Sequence, residues 1–262
     1  MFDFTSVQMQ AWMASFIWPF FRITAFLVAA PLMGHAAIPV KVKLGLGVAL
    51  TIFIAPLLPP LPQVPVFSMA GLGLLVEQLL IGIAIGFCMR MVFSVVQAAG
   101  EYIGMQMGLG FATSYSADIG TNSVIISKFL YQITLLMFLA FSGHLVVLEI
   151  VLNTFTSLPI GGVEIQPSVW KLIALYAGTI FSSGLLLSLP LLGALLMMNL
   201  AMGILNRSAP QLTVFSIGFP LTLTVGLILM MVMMTSFAPF LERLFSGGFQ
   251  FIQTLIAAMA EK

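Results

Sequence analysis

Charge is nearly missing from this sequence: only 6% of its 262 residues are Asp, Glu, Lys or Arg. Soluble domains carry about 25%, so water is not the main solvent of this chain. The formal net charge is +1 and the basic residues stand singly. No basic patch points to nucleic acid, and no juxtamembrane polybasic run points to anionic lipid. Cysteine is limited to Cys88, which excludes an intramolecular disulfide and any multi-cysteine metal site. Lying inside an apolar run, it reads as a small packed side chain. The two histidines, His35 and His144, have no Asp, Glu or Cys at ligand spacing. A metal site needs three or four such groups, so neither metal nor cofactor is expected. No G-x-S-x-G nucleophile setting appears, nor a glycine loop that would cradle phosphate between strand and helix. An enzyme is therefore not expected. The opening stretch MFDFTSVQMQAWM has no Lys or Arg. A secretory signal needs a positive n-region, so the first apolar run is read as retained.

What is abundant is apolar. Hydrophobic residues make up 61% of the chain, the mean hydropathy is +1.16, and the class is an all-α integral membrane protein. Six apolar runs stand out, at about 12–33, 42–58, 69–97, 124–152, 171–205 and 212–240. A spanning helix needs about 20 apolar residues, so each is long enough to cross. The second is short and ends in the proline-rich PLLPPLPQVP. The fifth, as one helix, would be roughly 50 Å long at 1.5 Å per residue, against a hydrocarbon core of about 30 Å. It must kink at Pro190 or stand partly outside the bilayer. Loop charges give no orientation: one side receives Lys171, Arg243 and Lys262, the other Lys41, Lys43, Arg207 and Lys128. A positive-inside bias is normal for polytopic proteins, and its failure suggests helices that do not all face lipid. The C-terminal FQFIQTLIAAMAEK places Phe251, Ile252, Leu255, Ile256 and Met259 on one helical face. It reads as a short interfacial or partner-facing helix.

Ionisable residues inside apolar runs are functional hypotheses by default. Arg22, Glu77, Arg90 and Glu149 qualify. Glu77 and Arg90 are thirteen residues apart, roughly 20 Å along a helix, and cannot pair within it. Glu77 reads either as part of an ion pathway or as a carboxylate held against a partner helix, with the second favoured. Arg22 and Arg90 are placed to snorkel. The segment GEYIGMQMGLGFATSYSADIGTNS, residues 100–123, repeats small residues every four positions (Gly100, Gly104, Gly108, Ala112, Ser116, Gly120). That makes a ridge for close backbone approach. Gly108, Gly110 and the run Thr113-Ser114-Tyr115-Ser116 also lower helix propensity. It is a surface loop or a re-entrant element lining a cavity, and composition favours the loop. The polar NRSAPQ, Asn206 to Gln211, is rich in turn formers. Pro210 drives Ala209 out of helical geometry, so the stretch reads as a hairpin tip carrying a fixed charge on Arg207.

The stretch GILNRSAPQLTVFSIGFPL, with Asn206, Arg207, Pro210, Gln211, Phe215 and Pro220, resembles the hallmark of the FliR family. Those are inner-membrane components of the bacterial flagellar export gate, with relatives in virulence type III secretion. GEYIGMQMGLGFA and the early FFRITAFLVAAPLMGHAAIPVKVKLGLGVAL also match that family, in motif order over essentially the whole chain. The resemblance implies about six long hydrophobic helices arranged as hairpins, similar to a fusion of the partners FliP (about 1–200 here) and FliQ (about 200–262). It implies one membrane-embedded gate domain over 1–262, at the flagellar basal body in the inner membrane. The implied partners are FliP, FliQ, FlhB, FlhA, the basal body ring, lipid and exported unfolded proteins. It also implies a plug near 108–120, built from Gly108, Gly110, Phe111, Ala112, Thr113, Ser114, Tyr115, Ser116, Asp118 and Gly120 with Met105 and Met107 beside it. On that reading the segment lines a pore rather than forming a surface loop. The rival expectation is an ion-coupled secondary transporter using Glu77 and Arg90.

Overall fold

A computed structural model describes residues 6–59, 61, 62, 64–110, 124–162, 166–208 and 218–260. In chain order the helices are α1 (Ser6–Ala29), α2 (Val40–Ile54, closed by a 3₁₀ turn Ala55–Leu57), α3 (Met69–Gln106), α4 (Ile125–Ala140) and α5 (Gly143–Ser157). They continue with α6 (Pro167–Tyr176), α7 (Gly178–Ser208) and α8 (Phe219–Ala260). Among the described residues there is no strand. The protein is an all-α membrane protein: five helical stretches are long and apolar enough to span, and α4–α5 makes a sixth if its two pieces count as one.

Local chemistry sets the ends. Pro39 precedes α2 and Pro56 sits in the 3₁₀ turn that closes it, where a missing N–H costs little at the first position and stops the helix at the other. Ser68 caps α3: its Oγ accepts from Gly71 N–H at 3.0 Å, satisfying one of the donors every helix start leaves over. Pro19, Pro190 and Pro239 lie inside α1, α7 and α8, which run through them. Membrane helices tolerate this because neighbours and side chains re-satisfy the freed carbonyl.

Three expectations need correction. The fifth apolar run is not one helix: it breaks at Ala177, between α6 and α7, and α7 continues through Pro190. The fourth run is two helices, separated at Phe141 and Ser142, with Ser142 in the left-handed region at φ 56°. The C-terminal segment is not a separate short helix but the continuation of the 42-residue α8. Its apolar face is internal, with Ile252, Leu255 and Met259 buried.

The chain divides into two compact units. The first contains residues 1–91, 142–175 and 246–262. Here α3 lies against α1 through Gly82 and Gly86. A Cβ on Gly86 would stand 2.6 Å from Ala29 Cβ and 2.9 Å from Ala30 N. Two glycines four residues apart put the gap on one helical face, as in small-xxx-small packing. The second unit contains residues 92–141 and 176–245. Its core is an aromatic cluster: Phe138 stands 5.3 Å from Phe93 and 5.2 Å from Phe245, both edge-on. Such pairs contribute about 0.5–1.5 kcal/mol beyond their buried area. In the most apolar window of α3, 67% of the residues are buried, against 22% for α2 and for α6–α7. The latter helices therefore turn apolar side chains such as Leu186, Met197 and Leu200 outward, toward lipid or a partner.

Candidate functional site

Two constellations carry the charges and glycines singled out from the sequence. The first, in the second unit, is the base of the segment 111–123. Helix α3 ends in a Schellman motif. Leu109 N–H donates to Gly104 O at 2.9 Å, and Gly108 N–H donates to Met105 O at 3.0 Å. Gly108 has φ +82°. This is the left-handed position that ends helices and that glycine occupies without strain. Among the described residues, the small-residue ridge therefore works as a helix face at Gly100 and Gly104 but not at Gly108. At the first two it is real: a Cβ on Gly100 would lie 2.5 Å from Ser127 Cα, and one on Gly104 would collide with Val124 Cγ1. Ser127 Oγ donates to Gln97 O across the same seam at 3.0 Å. Helices α3 and α4 thus pack backbone to backbone. The chain leaves at Gly110 and returns at Val124 beside Gly104.

The start of α8 closes this base. Met107 is fully buried, with its thioether packed on the bare face of Gly226, whose Cβ would meet Met107 Cγ, Cε and Sδ at 2.7–2.9 Å. Thr222 Oγ1 donates to Met107 O at 3.4 Å, and Phe219 lies over Gly108. Met105, by contrast, is exposed. Phe111, Ala112, Thr113, Ser114, Tyr115, Ser116, Asp118 and Gly120 lie outside the described residues.

The second constellation, in the first unit, is a knot on Arg22. This side chain does not snorkel: it is fully buried. Its Nε donates to Gln78 Oε1 at 2.7 Å, Nη1 to Thr154 O and Oγ1 at 3.0 and 3.1 Å, and Nη2 to Leu158 O at 2.9 Å. The guanidinium also sits 4.4 Å from the centre of the Phe155 ring, inside cation–π range. Arg22 on α1 thereby satisfies the carbonyl of Leu158, which closes α5 and has no helical partner, adds a second donor to Thr154 O, which already accepts from Leu158 N–H at 2.8 Å, and links both to α3. Gln78 Nε2 donates to Glu77 Oε1 at 3.1 Å. Glu77 is half-buried and meets the Gly161 backbone N–H. Glu77 and Arg90 are not brought together: Arg90 is exposed, and its Nη2 lies 3.1 Å from where a Cβ on Gly34 would be. Among the described residues no group of three or more His, Cys, Asp or Glu could hold a metal. Cys88 is fully buried, as its apolar surroundings implied.

At the polar tip, Asn206 and Arg207 belong to the last turn of α7, where a cation complements the helix dipole. Pro220 is the second residue of α8. Pro210, Gln211 and Phe215 lie outside the described residues.

Residues 13–248 match the family described as bacterial export proteins, family 1. The chain belongs to that family. It is 44% identical over 259 residues to the flagellar biosynthetic protein FliR of Escherichia coli K12, covering 99% of each chain. It is 42% identical over 260 residues to the protein of that name from Pectobacterium carotovorum, again covering 99% of each. To the one from Bacillus subtilis it is 28% identical over 248 residues, with 93% of this chain and 95% of the relative aligned. The family accounts for the long apolar helices. Sequence reasoning missed Gln78, Thr154, Leu158, Thr222 and Gly226. The only signal for Gln78 was an amide beside Glu77 in an otherwise apolar run. The other four are ordinary membrane-helix residues whose partners are distant in sequence.

Proposed function

We propose that this chain is a structural and gating subunit of the flagellar type III protein export channel in the bacterial inner membrane, at the basal body. It forms part of the pore through which unfolded flagellar proteins pass, and it catalyses no reaction. The segment around 108–120 is its plug. Family membership supports the export role, and the name carried by the relatives supports the flagellar one. The observation that carries the plug assignment is the base of that segment. Its departure is capped by Gly108, its return is pressed on Gly104, and α8 clamps Met107. A stopper needs a rigid frame at both ends, and these residues supply one.

On this reading residues 1–262 form one gate domain, FliP-like to about residue 200 and FliQ-like beyond. FliP, FliQ, FlhB, FlhA and the basal body ring are its partners, and the other subunits supply the energy. The motif Asn206, Arg207, Pro210, Gln211, Phe215 and Pro220 docks on neighbouring subunits. The transporter alternative draws no support from the helix geometry, since Glu77 and Arg90 stand thirteen residues apart on one continuous α3.

Deleting residues 111–120 tests the plug while keeping the Gly108 cap. Membranes holding the variant should leak ions or small solutes while the complex is still recovered. Unchanged conductance together with normal export would remove the assignment.

A further inference from the structure

One end of the first unit is without charge. Residues 44–76 include no Asp, Glu, Lys, Arg, His, Trp or Tyr. They contain the turn between two candidate spans, Val40–Leu57 and Met69–Gln106, so the turn stands at a membrane face. Turns at that level ordinarily present Lys or Arg to water and Trp or Tyr to the headgroups. This one turns large apolar side chains outward instead: Leu57, Phe67 and Met69 are 80%, 88% and 87% exposed. Phe53, one turn before Leu57, is exposed as well, and the two phenyl rings alone open roughly 250–400 Å².

The same end is hollow. A cleft of about 430 Å³ separates Gln10 and Ala14 of α1 from Leu58, Pro59, Pro62 and Pro65 of the turn. A dry cavity of about 150 Å³ already admits benzene, so this one takes an aromatic ring together with an aliphatic neighbour.

The chemistry of the surface decides what covers it. Hydrocarbon is excluded by the backbone, because the described residues between 58 and 68 are not helical and lipid satisfies no irregular main chain. Water is a poor neighbour for a contiguous apolar patch, and headgroups find no anchoring side chain. An apolar protein surface meets each demand: its side chains cover the patch and its own polar groups reach the turn's carbonyls. A charged occupant would stay uncompensated in a cleft without charge, and proline-rich segments pack on aromatic side chains.

We propose that the α2–α3 turn is a docking surface for an uncharged helix of another membrane protein. That helix seats an aromatic side chain in the cleft, with an aliphatic one a turn away against Leu57 and Phe67.

The test uses the full chain in its own membranes, with benzoylphenylalanine, a photoreactive aromatic of similar shape, in place of Phe67. After illumination, mass spectrometry maps the adduct. It should fall on an uncharged helical segment of a second membrane protein, within a turn of an aromatic residue. Ala14→Phe, which fills the cleft, and Leu57→Glu, which charges its rim, should each lower the yield of that adduct about thirtyfold, the effect of losing one anchor residue. Lys41→Gln, at the other end of α2, should leave it unchanged. Should Ala14→Phe fail to fold, Leu57→Glu on its exposed side chain carries the test. Four results would overturn the proposal: phospholipid adducts, which give the surface to the membrane; no adduct, which gives it to water; an adduct on a charged segment; or a yield that neither variant lowers.

Discussion

Removing the Arg22 side chain should be the most damaging single truncation in the first unit. Arg22→Ala deletes four donated hydrogen bonds, to Gln78, to both oxygens of Thr154 and to Leu158. It also deletes a contact with the Phe155 ring. Hydrogen bonds inside membrane proteins contribute on average about 0.6 kcal/mol each, which sets a floor near 2.5 kcal/mol for four. Buried acceptors left without donors cost about 1–3 kcal/mol each, and Leu158 O loses its Arg22 donor outright. A loss of about 3–5 kcal/mol is expected, the range seen when one member of a buried charged network is removed. Arg22→Lys should lose about half of that, because a single ammonium cannot fork toward three residues. Arg22→Met should lose at least about 1 kcal/mol, because an apolar isostere leaves Leu158 O without its donor. The assay is unfolding of the purified chain in mixed micelles of increasing SDS content, followed by tryptophan fluorescence. Trp18, one turn before Arg22 and fully buried, reports on this region. The Arg22→Ala and Gln78→Ala effects should fall short of additivity by about 1 kcal/mol. An Arg22→Ala loss below about 1 kcal/mol, or strict additivity with Gln78→Ala, would refute the knot.

Two glycines should respond differently to the same change. Gly100→Ala drives a Cβ to 2.5 Å from backbone, Ser127 Cα, which cannot yield without parting α3 from α4, so a loss of about 1–3 kcal/mol is expected. Gly226→Ala meets only the Met107 thioether, a side chain that adapts. It should cost under about 1 kcal/mol and be relieved by Met107→Ala, with the same SDS titration as the check; equal losses at both positions would contradict the packing described. Cys88 should resist maleimide in the native protein and react after SDS unfolding, because its side chain is fully buried; rapid native labelling would show the α3 core to be open.

Much of the fold was legible because hydrophobic length is a property of the sequence alone. The runs at 12–33, 42–58 and 69–97 locate α1, α2 and α3, although α1 begins 6 (12 − 6) residues earlier and α3 ends 9 (106 − 97) residues later, and scarcity of charge marks the membrane. Helix breaks were less legible. Prolines drew attention at Pro190, yet the fifth run parts at Ala177 and the fourth at Ser142, each followed by a glycine, Gly178 and Gly143, that a glycine-rich chain does not single out. A proline can sit inside a membrane helix when neighbours re-satisfy its carbonyl, so it need not mark the break. The glycine ridge holds at Gly100 and Gly104 but not at Gly108, because the same residue type serves close approach at Gly100 and a left-handed cap at Gly108.

Composition by itself determined that this chain is helical, lives in a membrane and offers no multi-cysteine or histidine-cluster chemistry. Each of those follows from residue counts and local spacing. Only the tertiary structure decided what its few charges do. Arg22, read as a snorkelling cation, is the centre of a buried knot whose acceptors lie 56 to 136 residues away. Glu77 joins that knot rather than Arg90, whose guanidinium lies beside Gly34, between α1 and α2. A charge inside an apolar environment must find a counter-dipole, but no local rule says which distant helix will present it.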